Sequence, residues 1–159
     1  MLFRSELIQK LIIVDMAPVT YSHHHQEIIN GLKSLNPERF STRMDLDHGL
    51  SAYIPDKLLR QFLLKNIVRT PNGFDWRINL SAIDENYADI MDAAINDQTL
   101  SMPALFIKGE NSDYITSKGE AKIHEICSNV KIETIPESGH WVHSEQPEAF
   151  FKSVIGFLT

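Results

Sequence analysis

The chain has 159 residues, 43% of them hydrophobic and 23% charged, which is ordinary for one globular domain and excludes the disordered and fibrous classes. With 15 Lys and Arg against 21 Asp and Glu, its net charge of -6 argues against a nucleic-acid partner, because a phosphate backbone calls for a basic footprint. The one cysteine, Cys127, cannot form an internal disulfide and fits no zinc-finger spacing, so the fold must rest on packing and a reducing compartment is expected.

The first ten residues place Arg4 ahead of Glu6 without the apolar run and small-residue cleavage site of a secretory signal. Leu2, Phe3, Leu7 and Leu11 instead predict the last turns of a helix running straight into a strand, an opening that reads as the middle of a fold. No apolar stretch approaches the ~20 residues needed to cross a bilayer. Leu11, Ile12, Ile13 and Val14 form a continuous apolar run closed by Asp15, the pattern of a strand buried on both faces. Pro18 cannot donate to a ladder, so the strand is expected to end near Asp15.

From Ser22 to about Leu100 the spacing becomes helical. Helices are predicted over 25–35, 37–50 and 55–68, with Ile28, Ile29, Leu32 and Leu35 making one apolar stripe and Leu58, Leu59, Phe62, Leu63 and Ile67 another. An Asn72-Gly73 turn flanked by alternating residues predicts a hairpin between Ile67 and Leu80. A further helix over 80–95 puts Ile83, Tyr87, Ile90 and Met91 on one face. Strand and helix then alternate: a strand over 103–109, a helix over 117–128, a strand over 130–135 and a closing helix over 147–158. Strands separated by helices imply parallel pairing. The expected architecture is therefore α/β, about three parallel strands with flanking helices built from 1–20 and 101–159. Residues 21–100 form an inserted helical lid that contains the hairpin.

Glu137-Ser138-Gly139-His140-Trp141-Val142-His143 places His140 just after a predicted strand, at the carboxyl edge where α/β folds put their chemistry. Taken alone, His140 reads as a turn histidine packed against Trp141. Ser138, two residues before it in sequence, is badly placed to reach its imidazole and reads as a turn residue. Consecutive side chains on a helix point about 100° apart, so His23, His24 and His25 cannot converge on one metal ion. His143 reads as a capping or packing residue, and Cys127 as a buried structural thiol. Phe62, Phe74, Trp76 and Tyr87 could line an acyl pocket, although aromatic residues in small helical layers are more often plain core.

Three stretches, Ile13 to Val19, Leu105 to Tyr114 and Gly139 to His143, occur in the order found in the carboxyl-terminal half of α/β-hydrolases, and Phe74 to Leu80 looks like the same family. Together they resemble the esterase and lipase branch that includes mitochondrial abhydrolase-domain proteins and small bacterial carboxylesterases. The resemblance implies a partial α/β-hydrolase fold and a carboxylic-ester hydrolase of the serine type, acting on a small-molecule ester or thioester in the cytoplasm or mitochondrial matrix without metal or cofactor. It makes His140 the general base. Two aspartates compete for the acid that orients it. Asp15 matches the position that this branch uses. Many other hydrolases carry theirs after the next strand, where this chain has Ser112, with Asp113 one step away.

The family's Gly-x-Ser-x-Gly elbow, which exposes the nucleophilic serine on a sharp strand-to-helix turn, is nowhere in the sequence. In the family that elbow and the oxyanion-hole loop precede the strand ending at Asp15. The chain is therefore expected to be inactive alone. The alternative is a non-catalytic binding or assembly module, or half of a split hydrolase, whose open sheet edge beside Asp15 templates self-association or accepts a complementing chain.

Overall fold

The structure is a computed structural model and describes residues 7–22, 25–92 and 99–159. The helix expected over the first ten residues falls largely outside them. The chain divides into two compact units, Met1–Thr20 with Ala93–Thr159, and Tyr21–Asp92.

Among the described residues the first unit is built on a three-stranded parallel sheet of β1 (Leu11–Val14), β4 (Ala104–Gly109) and β5 (Val130–Ile135), in the order β1-β4-β5. The central strand β4 is apolar on both faces. Successive side chains alternate, so Ala104 and Phe106 point one way and Leu105 and Ile107 the other, each at most 1% exposed. The first face packs with Ile123 and Ile126 of α6 (Ser117–Ile126). The second face packs with Ala149, Phe150, Val154 and Phe157 of α8 (Pro147–Leu158) and with Val142 of the short helix α7 (Val142–Glu145). Thr116 caps α6 by accepting from the Gly119 N–H. Pro147 starts α8 at a position where its missing N–H costs nothing. Lys10 donates to the carbonyls of Phe157 and Leu158 at 2.7 and 2.8 Å, placing a cation on the negative end of that helix.

Strand β1 departs from the expected two-faced burial. All four of its residues are half-buried because β4 pairs with it on one side only. The N–H groups of Leu11 and Asp15 donate to Pro103 and Ile107 at 2.9 and 2.7 Å, so the two-residue period turns the main-chain groups of Ile12 and Val14 toward the opposite edge. Among the described residues no strand pairs with that edge.

Among the described residues the second unit holds the α-helices α1 (Gln26–Ser34), α2 (Arg43–Leu50), α3 (Lys57–Leu63), α4 (Leu80–Glu85) and α5 (Tyr87–Met91), with an antiparallel hairpin of β2 (Ile67–Thr70) and β3 (Gly73–Trp76). Its core gathers Leu32, Leu35, Leu46, Leu50, Ile54, Leu64, Ile67 and Phe74. Several helices are shorter than their apolar spacing predicts, and polar side chains explain where they stop. Thr42 and Asp45 exchange side-chain to backbone bonds in a capping box, so the predicted 37–50 helix resolves into a short 3-10 turn and α2. Asn86, whose amide donates to the Ala82 carbonyl at 2.8 Å, separates α4 from α5. Ile90, expected on the apolar face, is 58% exposed.

The hairpin turn is also shifted by one residue. Thr70 pairs with Gly73, which leaves Pro71 and Asn72 at the corner rather than Asn72 and Gly73. Proline's fixed φ suits the first corner position. Gly73 is required for another reason: at φ 136° a Cβ would lie 2.6 Å from the Glu38 carbonyl oxygen.

Packing of β4 generates a stability prediction. Phe106→Ala is expected to cost about 3–5 kcal/mol in denaturant unfolding, whereas Phe151→Ser, at a position on α8 that is 65% exposed, should stay within about 0.5 kcal/mol. A second concerns Cys127, which is 2% exposed and whose thiol is pushed up by burial. Only the thiolate is nucleophilic. Alkylation at pH 8 should therefore be slow in the folded protein and accelerate on unfolding in urea, as followed by mass spectrometry.

Candidate active site

Asp15 is the residue around which the strand ends converge. It continues β1 through its backbone bond to Ile107 and then turns the chain with φ 48°, a left-handed conformation that aspartate tolerates better than most residues. Its side chain is fully buried. A buried carboxylate is costly unless donors surround it, and as a carboxylate Asp15 can only accept. Three donors from three segments meet it. The Gly109 N–H, at the end of β4, donates to Oδ1 at 3.1 Å. The Ser112 hydroxyl, in the next loop, donates to Oδ2. His140 Nδ1 lies 2.8 Å from that same Oδ2. Nδ1 therefore carries the proton, which leaves Nε2 as the acceptor of the ring.

The loops after β4 and β5 are held together by backbone contacts. Asn111 N–H donates to the Ser138 carbonyl at 2.8 Å and Glu110 N–H to Ile135 at 3.0 Å, while the Glu110 side chain accepts from the Glu137 N–H at 2.9 Å. Only glycine fits at position 109, where a Cβ would stand 2.1 Å from the Gly139 oxygen and 2.6 Å from that of Ser138. This close approach carries His140 over the end of β4. Its imidazole stacks on Tyr114, with ring centroids 3.9 Å apart and planes 19° from parallel, and keeps 39% of its side chain exposed.

The structure thus brings Asp15 and His140 together, and the oxygen on Nδ1 is not that of Asp113, which is exposed. His140 stacks on Tyr114. Ser138 is buried, with its hydroxyl donating to the Ile135 carbonyl at 2.9 Å. His143 presents its ring to Phe150, centroids 6.1 Å apart at 63°. His25 precedes α1 with Nδ1 3.3 Å from the Tyr87 hydroxyl, while His23 and His24 lie outside the described residues. Phe74 and Tyr87 are core residues, Trp76 packs against the core, and Phe62 is 42% exposed with the Lys65 ammonium over its ring. Among the described residues no three His, Cys, Asp or Glu side chains gather to hold a metal ion, and no helix is long and apolar enough to cross a membrane. Sequence reasoning did not single out Ser112 as a partner of Asp15, nor Tyr114 or Gly109. The position of Ser112 where other hydrolases keep their acid was the available signal.

A parallel sheet with an acid at the end of one strand and a histidine just beyond another is the α/β-hydrolase arrangement, and the fold is of that class. Comparison with known proteins shows which members of that class the chain is similar to. The chain is 33% identical to the mouse (Mus musculus) sn-1-specific diacylglycerol lipase ABHD11 over 98% of its own length and 52% of that protein. It is 29% identical to esterase YbfF of Escherichia coli over 97% of this chain and 59% of that one. A solved structure of a marine microorganism esterase superposes with a TM-score of 0.89 at 41% identity, covering 94% of this chain and 60% of the other. No protein-family model matches the chain. The chain is a homologue of the α/β-hydrolase esterases and spans about half the length of the curated relatives it matches.

The convergence on Asp15 predicts a difference between two serines. Ser112→Ala strips a donor from a fully buried carboxylate and should cost about 1–3 kcal/mol. Ser138→Ala, which loses a hydroxyl bonded to a neutral carbonyl, should cost about 0.5–1.5 kcal/mol in the same urea titration.

Proposed function

We propose that this chain supplies the acid and base of a serine-type carboxylic-ester hydrolase and that the nucleophile reaches it from a second segment bearing the Gly-x-Ser-x-Gly elbow. The observation that carries the reading is the 2.8 Å contact between His140 Nδ1 and the buried Asp15, which leaves Nε2 as the proton acceptor. In this reading the serine oxygen attacks the ester carbonyl carbon while its proton passes to Nε2. Donors on the second segment hold the oxyanion. The tetrahedral intermediate then expels the alcohol, which takes the proton back from Nε2 and leaves an acyl-serine. Water then gives its proton to the same nitrogen and attacks the acyl carbon, and the serine oxygen leaves with that proton, releasing the acid and restoring the hydroxyl. Asp15 stays ionised throughout and stabilises the imidazolium. The helical unit Tyr21–Asp92 takes the lid role, a small-molecule ester or thioester is the substrate, and the cytoplasm or mitochondrial matrix is the setting.

The edge of β1 with which no strand pairs among the described residues favours a second reading, a non-catalytic assembly module. Ile12 and Val14 offer main-chain groups to an incoming strand whether or not that strand brings a nucleophile.

One experiment separates the two. The purified chain should hydrolyse p-nitrophenyl esters at background rate and resist labelling by a serine-directed fluorophosphonate. Adding a fragment of a homologous esterase that carries the elbow should generate turnover, and Asp15→Asn or His140→Ala should reduce it by about 10⁴-fold. Asparagine keeps the size and the left-handed tolerance of Asp15, so that variant isolates the charge. Labelling of the isolated chain, or restored turnover indifferent to His140, would sink the proposal. Assembly without turnover would leave the module reading standing.

A further inference from the structure

We propose that Glu145 is a positioning residue for His140, a carboxylate clasp that fixes the backbone on both sides of the base. The role rests on the reading of His140 as general base, but the geometry that carries it does not. Glu145 is the last residue of α7. Its Oε2 accepts from the Gly139 N–H at 2.9 Å and its Oε1 from the Trp141 N–H at 3.1 Å. These are the residues immediately before and after His140. Two bonds to separate oxygens of one planar group restrain the intervening residue against both sliding and rotation, whereas one bond would leave a hinge.

The clasp is itself anchored. α7 begins at Val142, which is fully buried in the core beneath α8, and the Glu145 N–H donates to the Trp141 carbonyl at 2.9 Å. The stem of the carboxylate therefore belongs to the same turn whose N–H groups it holds. Among the described residues no lysine or arginine forms an ion pair with Glu145. A carboxylate that only capped α7 would need the Trp141 N–H, since Trp141 is the residue before the helix. The bond to Gly139 lies outside the helix and reaches around His140, and capping gives no reason for it.

The consequence is positional. On one side the imidazole is fixed by Asp15 and Tyr114, on the other by this clasp. A base displaced by about 1 Å loses on the order of 10²-fold in rate, so a restraint at both flanking amides acts directly on the reaction geometry.

The test needs no ester turnover. In the 159-residue chain, the Nδ1–H proton of His140 should give a low-field NMR resonance, assigned by its disappearance in Asp15→Asn. In Glu145→Ala, and in the isosteric Glu145→Gln, which presents one acceptor and one donor to two N–H groups, that proton should exchange with water about tenfold faster. The melting temperature should change by no more than a few degrees. Unchanged exchange in both variants overturns the role of Glu145 while leaving the Asp15–His140 pair intact. A lowered melt without faster exchange does the same. A parent spectrum lacking the resonance overturns the pair itself and with it the proposed function. If both variants unfold, amide exchange in the parent decides: Gly139 and Trp141 protected about tenfold relative to an unfolded chain support the clasp, and unprotected amides refute it.

Discussion

The buried carboxylate of Asp15 is the constraint on which the arrangement of this chain depends. A charged group with no exposure is tolerable only where hydrogen bonds replace its water, and the donors available to Asp15 come from the end of β4, from the loop after it and from the loop after β5. None of these segments is its neighbour in sequence. Gly109, Ser112 and His140 stand 94, 97 and 125 residues away. Satisfying one charge thus registers three strand ends against one another. The same requirement that makes the site possible also staples the carboxyl edge of the sheet.

That stapling explains the sharpest steric demand in the unit. For His140 to reach Asp15, the loop after β5 must cross the end of β4 at backbone distance, and the carbonyls of Ser138 and Gly139 occupy the space where a side chain at position 109 would begin. Glu137 with φ 54° and Asp15 with φ 48° are the two non-glycine residues in the left-handed region among those described, and both lie at this crossing. Local strain and close approach are concentrated where the chemistry is placed, which is how a fold holds a geometry that local preference alone does not select.

Much of the fold was legible in sequence because it is written in apolar periodicity. The continuous runs at Leu11 to Val14 and Leu105 to Ile107 and the Pro147 helix start each follow from one physical rule, and the parallel sheet with flanking helices follows from their alternation. What sequence missed is polar and local. The capping box at Thr42 and the Asn86 side chain cut helices that periodicity would continue, because a side chain that bonds the backbone competes with the next turn. The Asn72-Gly73 dipeptide pointed to a turn one residue late, since Gly73 answers a contact with Glu38 that is invisible along the chain. At the site, the family resemblance pointed to His140 and left Asp15 and Asp113 in competition for the acid. The Tyr114 ring had no signal in the sequence and Ser112 only its position where other hydrolases keep their acid, because the roles of both lie in how the loop after β4 meets Asp15 and His140.

The pair and the missing elbow have a common physical logic. Orientation of a histidine by a carboxylate is a matter of strand ends and their loops, and all of it lies within Met1–Thr20 and Ala93–Thr159. Exposure of a nucleophile needs a separate strained turn, and none of this chain's serines has that setting. On the proposed reading, the two requirements meet at the side of β1 with which no strand pairs among the described residues. Asp15 directly follows β1, so on that reading a strand adding to the main-chain groups of Ile12 and Val14 would end beside the acid. A sheet edge that is a liability for an isolated chain is, on the proposed reading, what delivers the nucleophile to its base. Backbone pairing would set the distance between them without any contact built for that purpose.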